Sequence, residues 1–296
     1  MRLAAVITLV VVFLALFYIG RATLVDPGSR LLAPGPDTSF RRIASTAPSI
    51  TEILFALKAE DLVVGVTRYC KYPPEARKKT VLGDYYDLSM EVLVAVKPDL
   101  VVLTEGAVHE NLVAAFRGLS LSTVSVDHDS LLGILDSIRV LGEHSDRKTE
   151  SRLILDRLRT RIDEIRVASS KRKPKSVLLT IGKTLDGESF KEAYTAGTAT
   201  FYQDILQIVG SSNACAVSEV AYPRLSPEEI FALNPDVIVD LSRGAQESEW
   251  QDLSDLPAIR EGRLLMVDAD YATIPGPRII KLLEDLARYV HPGLEI

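Results

Sequence analysis

Two stretches of the chain, LSMEVLVAVKPDLVVL from Leu88 to Leu103 and LSPEEIFALNPDVIVD from Leu225 to Asp240, align without a gap and share Leu, Ser, Glu, Ala, Pro, Asp and Val. Each reads as a short amphipathic helix opened by a serine N-cap (Ser89, Ser226), stopped at Lys97 or Asn234 by the proline that follows, and then a buried strand. The second copy adds Pro227 at the first helical position and Glu229 three residues after the cap, the spacing of a capping box. Helix, Pro-Asp turn and apolar strand make half of a βαβ unit. Two copies therefore predict two similar lobes with a cleft between them.

The rest of the chain alternates in the same way. Strands are predicted near Arg42–Ser45, Leu62–Val66 and Thr123–Val126, with helices from about Ser49 to Leu57, Asn111 to Arg117 and Ser130 to Leu141. From Ser145 to Ser169 there is no glycine or proline, and Leu155, Leu158, Ile162 and Ile165 recur at intervals of three and four. One long amphipathic helix of roughly 35 Å is expected there, its outer face solvated by arginines and acids. Strand Ser176–Ile181, helix Thr200–Val209, the second repeat, strand Arg263–Val267 and helix Pro277–Val290 complete the series. The fold class expected is α/β, two doubly wound lobes with parallel sheets joined by one long rigid helix. The boundaries fall at 41–143 for the N-terminal lobe, 144–172 for the interlobe helix and 173–296 for the C-terminal lobe.

Residues 1–22 are a different material. Behind Met1-Arg2, the run from Leu3 to Ile19 is apolar but for Thr8 and Tyr18, which suits a signal peptide or a retained membrane anchor. Residues 23–40, with Pro27, Gly28, Pro34, Gly35 and Pro36, read as a flexible tether. The protein is thus expected to be exported, either periplasmic or anchored to the outer face of the inner membrane. With 34 basic and 40 acidic side chains the net charge is −6, which disfavours a nucleic-acid partner. Cys70 and Cys215 fall in different lobes, so a bond between them would clamp the cleft.

Seven of the ten tyrosines, Tyr69, Tyr72, Tyr85, Tyr86, Tyr194, Tyr222 and Tyr271, lie outside the predicted helices and strands. If their loops follow strand ends they face the cleft, and a broad ring with one polar tip suits a large ligand held by stacking and a few hydrogen bonds. Catalytic patterns are absent: no HExxH, GxSxG or phosphate loop occurs, and the four histidines are not at metal-binding spacing. His109 and His128 do fall just beyond predicted strand ends, a place where zinc ligands can converge. Glu91 and Glu228 each lie two residues past a serine cap, where a carboxylate meets the positive end of a helix.

Ala47-Pro-Ser-Ile-Thr-Glu-Ile-Leu54, Val64-Gly-Val-Thr-Arg-Tyr-Cys-Lys-Tyr-Pro-Pro-Glu75, Lys97-Pro-Asp-Leu-Val-Val102 and Pro277-Arg-Ile-Ile280 resemble the cobalamin-binding class III substrate-binding proteins of bacterial ABC importers, relatives of the ferric-siderophore and haem binders. The resemblance runs from about Arg41 to the last helix. It implies a monomeric, non-enzymatic protein without a resident cofactor or metal, which binds a corrinoid between its lobes and delivers it to a permease driven by its own ATPase. A ferric siderophore or haem is the alternative ligand, and an anchored enzyme or a zinc-binding protein the rival class. The family pattern maps ligand contacts onto Pro48, Ser49, Tyr69, Tyr85, Tyr194, Tyr222, Asp270 and Tyr271, and permease docking onto Glu91 and Glu228. Where a cobalamin binder places tryptophans, this chain has Tyr85, Thr104 and Tyr222; its single tryptophan, Trp250, lies elsewhere.

Overall fold

The computed structural model describes residues 39–84, 87–187, 189–216 and 220–296, and the backbone alone at 107–111 and 114. The hydrophobic segment 1–22 and most of the tether lie outside the described residues. In the first lobe, strands β1 (Ile43–Ser45), β2 (Val63–Val66), β3 (Thr80–Val81), β4 (Leu100–Thr104) and β5 (Ser122–Val126) form one parallel sheet in the order β3-β2-β1-β4-β5. Helices α1 (Pro48–Ala56), α2 (Met90–Ala95), α3 (Ala107–Gly118) and α4 (Leu131–His144) connect them.

The second lobe holds β6 (Ser176–Asp186), β7 (Ser189–Thr195), β8 (Ser212–Asn213), β9 (Arg224–Leu225), β10 (Val237–Asp240) and β11 (Leu264–Met266), in the order β11-β10-β6-β7-β9. Its sheet is mixed. β8 and β10 pair parallel with the central β6, and β11 with β10, but β7 turns back on β6 and β9 pairs antiparallel with β7. The sequence predicts only the first half of β6. The strand runs on through Lys183 and Thr184, and Gly187, at φ +64°, takes the left-handed turn that a side chain would oppose.

Burial on both faces explains the unbroken apolar runs of the central strands. Leu100 and Val102 point into one cluster and Val101 and Leu103 into another. Val177 and Leu179 likewise part from Leu178, and Val237 and Val239 from Ile238.

The repeat has a geometric meaning. In each copy the residue before the proline sits at positive φ, Lys97 at 46° and Asn234 at 43°, which turns the chain out of the helix. The aspartate after the proline then caps the entry of the central strand. Asp99 accepts from the Arg41 and Arg42 amides, each at 2.9 Å, and Asp236 from the Ser176 amide at 2.8 Å. In the second copy, the helix Pro227–Leu233 carries the expected capping box.

One rod serves both lobes: α5 (Lys148–Ser169) buries Leu155 and Leu158 in the first core and Ile162 and Ile165 in the second. It starts later than the sequence predicts because α4 continues to His144 and Asp146 reverses at φ 58°. α4 is shared in the same way, giving Leu131 and Ile134 to the second core and Ile138 and Leu141 to the first. Asp204, on α6 (Phe201–Ile208) of the second lobe, accepts from the Leu131 amide at 2.8 Å and so caps a helix of the first. Beyond α6 come α7 (Pro227–Leu233), α8 (Pro257–Arg260) and α9 (Ile279–Val290), the last closing the second core with Leu282, Leu283 and Leu286.

Candidate functional site

The first-lobe side of the site is built at the carboxyl ends of β1 and β5, where open α/β sheets present their ligands. β1 leads into α1, whose first residues are Pro48 and Ser49. Ser45 holds this turn from within, its hydroxyl bonding the Ala47 carbonyl at 3.1 Å and pairing with Thr51 Oγ1 at 2.7 Å. Ser49 is buried and sets its hydroxyl 3.0 Å from Nδ1 of His128, just past β5. The loop carrying His128 is folded around Asp127, whose carboxylate accepts from the Asp129 amide at 2.7 Å and the Ser130 hydroxyl at 2.8 Å. Gly133 is required beneath it, since a Cβ there would stand 2.0 Å from Asp127 Oδ2.

His128 is 8% exposed, and its Nε2 is buried without a partner among the described residues. Burial lowers its pKa to about 4, against the opposing pull of the Asp127 charge, so the ring is neutral. A buried polar atom left unsatisfied costs about 1–3 kcal/mol, so this nitrogen asks for an explanation.

On the second lobe, Tyr222 keeps 37% of its surface exposed. Burial around the hydroxyl, and then the Asp129 carboxylate, push its pKa up to about 12, which places Asp129 and Tyr222 within electrostatic reach across the lobes. Asp129 itself is raised, first by burial and then by Asp127. Tyr202, within electrostatic reach of Tyr222, donates to the Ala272 carbonyl at 3.0 Å.

A charged staple joins the lobes beside this region. Arg278, just before α9, donates through Nε and Nη2 to the two carboxylate oxygens of Glu52 on α1, and through Nη1 to Asp270 at 2.8 Å. Its guanidinium lies 3.7 Å from the centroid of the Tyr72 ring, a stacked cation–π contact. The Glu52 and Arg278 side chains are 2% and 12% exposed. Burial pushes the Glu52 carboxyl up further than Arg278 pulls it down, whereas Arg278 holds the more open Asp270 carboxyl below its usual range. A cavity of about 380 Å³ opens alongside, lined in part by Phe55, Tyr72, Glu75 and Arg278.

The residues predicted for the ligand divide into groups. Pro48 opens α1, Ser49 bonds His128, and Tyr222 comes within electrostatic reach of Asp129. Asp270 is bound to Arg278. Tyr271 sits on a one-turn helix, not in a loop, with its hydroxyl donating to Asp285 at 2.6 Å on its own lobe. Tyr194 belongs to β7, also not to a loop, and its ring lies 5.2 Å from the Arg224 guanidinium. Tyr69 is 50% exposed after β2, and Tyr85 lies outside the described residues. Glu91 and Glu228 are exposed at the second position of α2 and α7, and the backbone amide of Glu228 together with the Ser226 hydroxyl lowers the Glu228 carboxyl pKa. Cys70 and Cys215 are free thiols buried in separate cores.

Sequence reasoning does not find the Glu52–Arg278 staple, whose partners are 226 residues apart. Nor does it find the buried Lys183, held by Asp240 at 2.6 Å and Glu249 at 2.7 Å, with Trp250 Nε1 donating to the same aspartate at 2.8 Å. The lone tryptophan is a core residue, fully buried, its ring 5.1 Å from that of Phe190.

Two α/β lobes on a shared helical rod, with Arg278 of one bound to Glu52 of the other and Tyr222 within electrostatic reach of Asp129, have the architecture of a bilobal solute-binding protein. Residues 43–271 match the model of the periplasmic binding protein family, and the chain belongs to that family. It is 30% identical over 261 residues to an uncharacterized ABC transporter substrate-binding lipoprotein of Bacillus subtilis (strain 168), covering 85% of this chain and 80% of the relative. It is 28% identical over 249 residues to the vitamin B12-binding protein of Salmonella typhi, covering 83% and 88%. Among solved structures, a periplasmic haem-binding protein from Roseiflexus sp. RS-1 superposes with a TM-score of 0.73 at 25% identity, covering 87% of this chain and 100% of that one. The periplasmic vitamin B12-binding protein of Vibrio cholerae shares the fold, with a TM-score of 0.73 at 24% identity over 86% and 97% of the two chains. Membership makes the chain an exported solute binder and not an enzyme. Among the described residues no helix is long and apolar enough to cross a membrane.

Proposed function

We propose that the protein is the solute-binding component of an ABC importer that captures a corrinoid between its lobes and delivers it to a membrane permease, whose ATPase drives release. The observation that supports this reading best is the electrostatic contact of Asp129 of one lobe with Tyr222 of the other, beside the Ser49–His128 pair, in a chain whose relatives include vitamin B12-binding proteins over most of its length. Pro48, Tyr69, Tyr85, Tyr194, Asp270 and Tyr271 complete the proposed ligand surface. Glu91 and Glu228 are the proposed docking points, and segment 1–22 is a signal peptide or a membrane anchor. The protein acts as a monomer with lobes 41–143 and 173–296 around the helix 144–172.

Haem or a ferric siderophore is the second reading, favoured by His128 Nε2, which has no partner among the described residues, and by the haem-binding relative of equal TM-score. Titration of the purified full chain in mild detergent separates the two. Cyanocobalamin is expected to bind with a Kd of about 1 μM or tighter. Binding of haemin alone at that level transfers the reading to haem, and binding of neither sinks the corrinoid and haem readings.

A further inference from the structure

Among the described residues named at this site, His128 is the one with a buried polar atom left without a partner. Its Nδ1 is anchored by Ser49, its ring is neutral, and its Nε2 is buried with no partner among the described residues. A ring held at one nitrogen by an oxygen, with the other nitrogen unengaged, is the arrangement of a metal-ligating histidine, in which the outer contact fixes the tautomer and the direction of the lone pair. Among the described residues no three His, Cys, Asp or Glu side chains gather to hold a bare ion. A single imidazole therefore suits a metal that brings its other donors with it. The described histidines elsewhere are engaged: His291 Nε2 lies 2.7 Å from the Val209 carbonyl, and His144 packs edge-on against Phe40.

We infer that His128 recognises the metal of a macrocyclic ligand, its Nε2 filling an open axial position on that metal while Ser49 orients the ring. This rests on the functional reading above and narrows it to macrocycles whose metal exchanges an axial ligand. Because Nε2 is buried, the side chains covering it must shift as the ligand enters, and the spectral change should follow ligand entry in time.

The test uses the full chain in mild detergent, titrated separately with haemin and aquocobalamin while the visible spectrum is followed. With at least one probe the unaltered protein is expected to give the spectrum of an imidazole adduct. His128→Ala should bind that probe about tenfold or more weakly, without the adduct bands, and free imidazole should restore them. His128→Gln, which fills similar space and keeps a polar group beside Ser49, serves if the alanine variant does not fold, and it too should lack the adduct. Ser49→Ala should retain the adduct at reduced affinity. Binding of either probe with no adduct in the unaltered protein overturns this inference alone, as does an adduct that persists in the His128 variants. Failure of both probes to bind overturns the functional reading and the inference with it.

Discussion

Arg278→Ala is expected to lower the melting temperature by on the order of 10 °C, which corresponds to a loss of about 3–5 kcal/mol. The guanidinium answers both oxygens of Glu52 and one of Asp270, so its removal leaves a carboxylate that is 2% exposed with no counter-charge. The lost stacking on Tyr72 adds to the effect. Glu52→Gln should cost less, since Arg278 keeps Asp270 and a neutral acceptor in place of the acid. The deficit of Arg278→Ala should also shrink toward acid. Burial already raises the Glu52 carboxyl, and without Arg278 it rises further. A carboxyl raised in the folded state penalises folding once ionised. That penalty is absent below the ordinary glutamate pKa and grows as pH rises through the folded-state value. Thermal melts of variant and parent from pH 4 to pH 8 check the sign, and a deficit that widens toward acid would contradict it.

The double change Glu91→Arg, Glu228→Arg is expected to abolish transport while leaving ligand affinity as it was. Both carboxylates are exposed at the starts of equivalent helices in the two lobes, so reversing their charge disturbs neither core. Duplicated charges on matching elements suit a partner that presents two equivalent basic surfaces, and such charges steer and register docking more than they add affinity. Uptake measured in vesicles beside equilibrium binding of the same ligand decides the matter. Unimpaired uptake, or equal losses in both measurements, removes the docking role. Each single change should give a partial defect whose size falls as ionic strength rises.

The architecture is legible where local chemistry is self-sufficient. Ser89 and Ser226 cap and the prolines after Lys97 and Asn234 stop, all read from short stretches of chain, whereas the bonds by which Asp99 and Asp236 tie the turn to a distant strand are not. The second half of the β6–β7 hairpin is not legible. Lys183, Thr184, Lys191 and Glu192 look like loop residues, and only the tertiary partners Asp240 and Glu249 make a buried strand position tolerable for Lys183. The same hairpin hides the true setting of Tyr194, on β7. Of the site, the turn at Pro48-Ser49 and the exposed Tyr222 are visible as residue types, but the role of His128 depends on a contact with Ser49 across 79 residues. Arg278 and Glu52 both fall within the family pattern, but Glu52 sits mid-helix in an apolar context and nothing local signals that the two form an ion pair.

The sharing of α4 and α5 between two cores bears on how the molecule comes apart. Leu155 and Leu158 cannot leave the first interior without straining the rod that keeps Ile162 and Ile165 in the second. α4 imposes the same link in the opposite sense, since Leu131 and Ile134 are held in the second interior while Ile138 and Leu141 are held in the first. Neither lobe therefore owns a complete apolar interior. Unfolding should be a single cooperative event, seen as one calorimetric peak with matching calorimetric and van't Hoff enthalpies, and two resolved peaks would show the lobes melting apart. The duplication still readable in the chain has thus been overwritten in its energetics: two halves that look alike stand or fall as one.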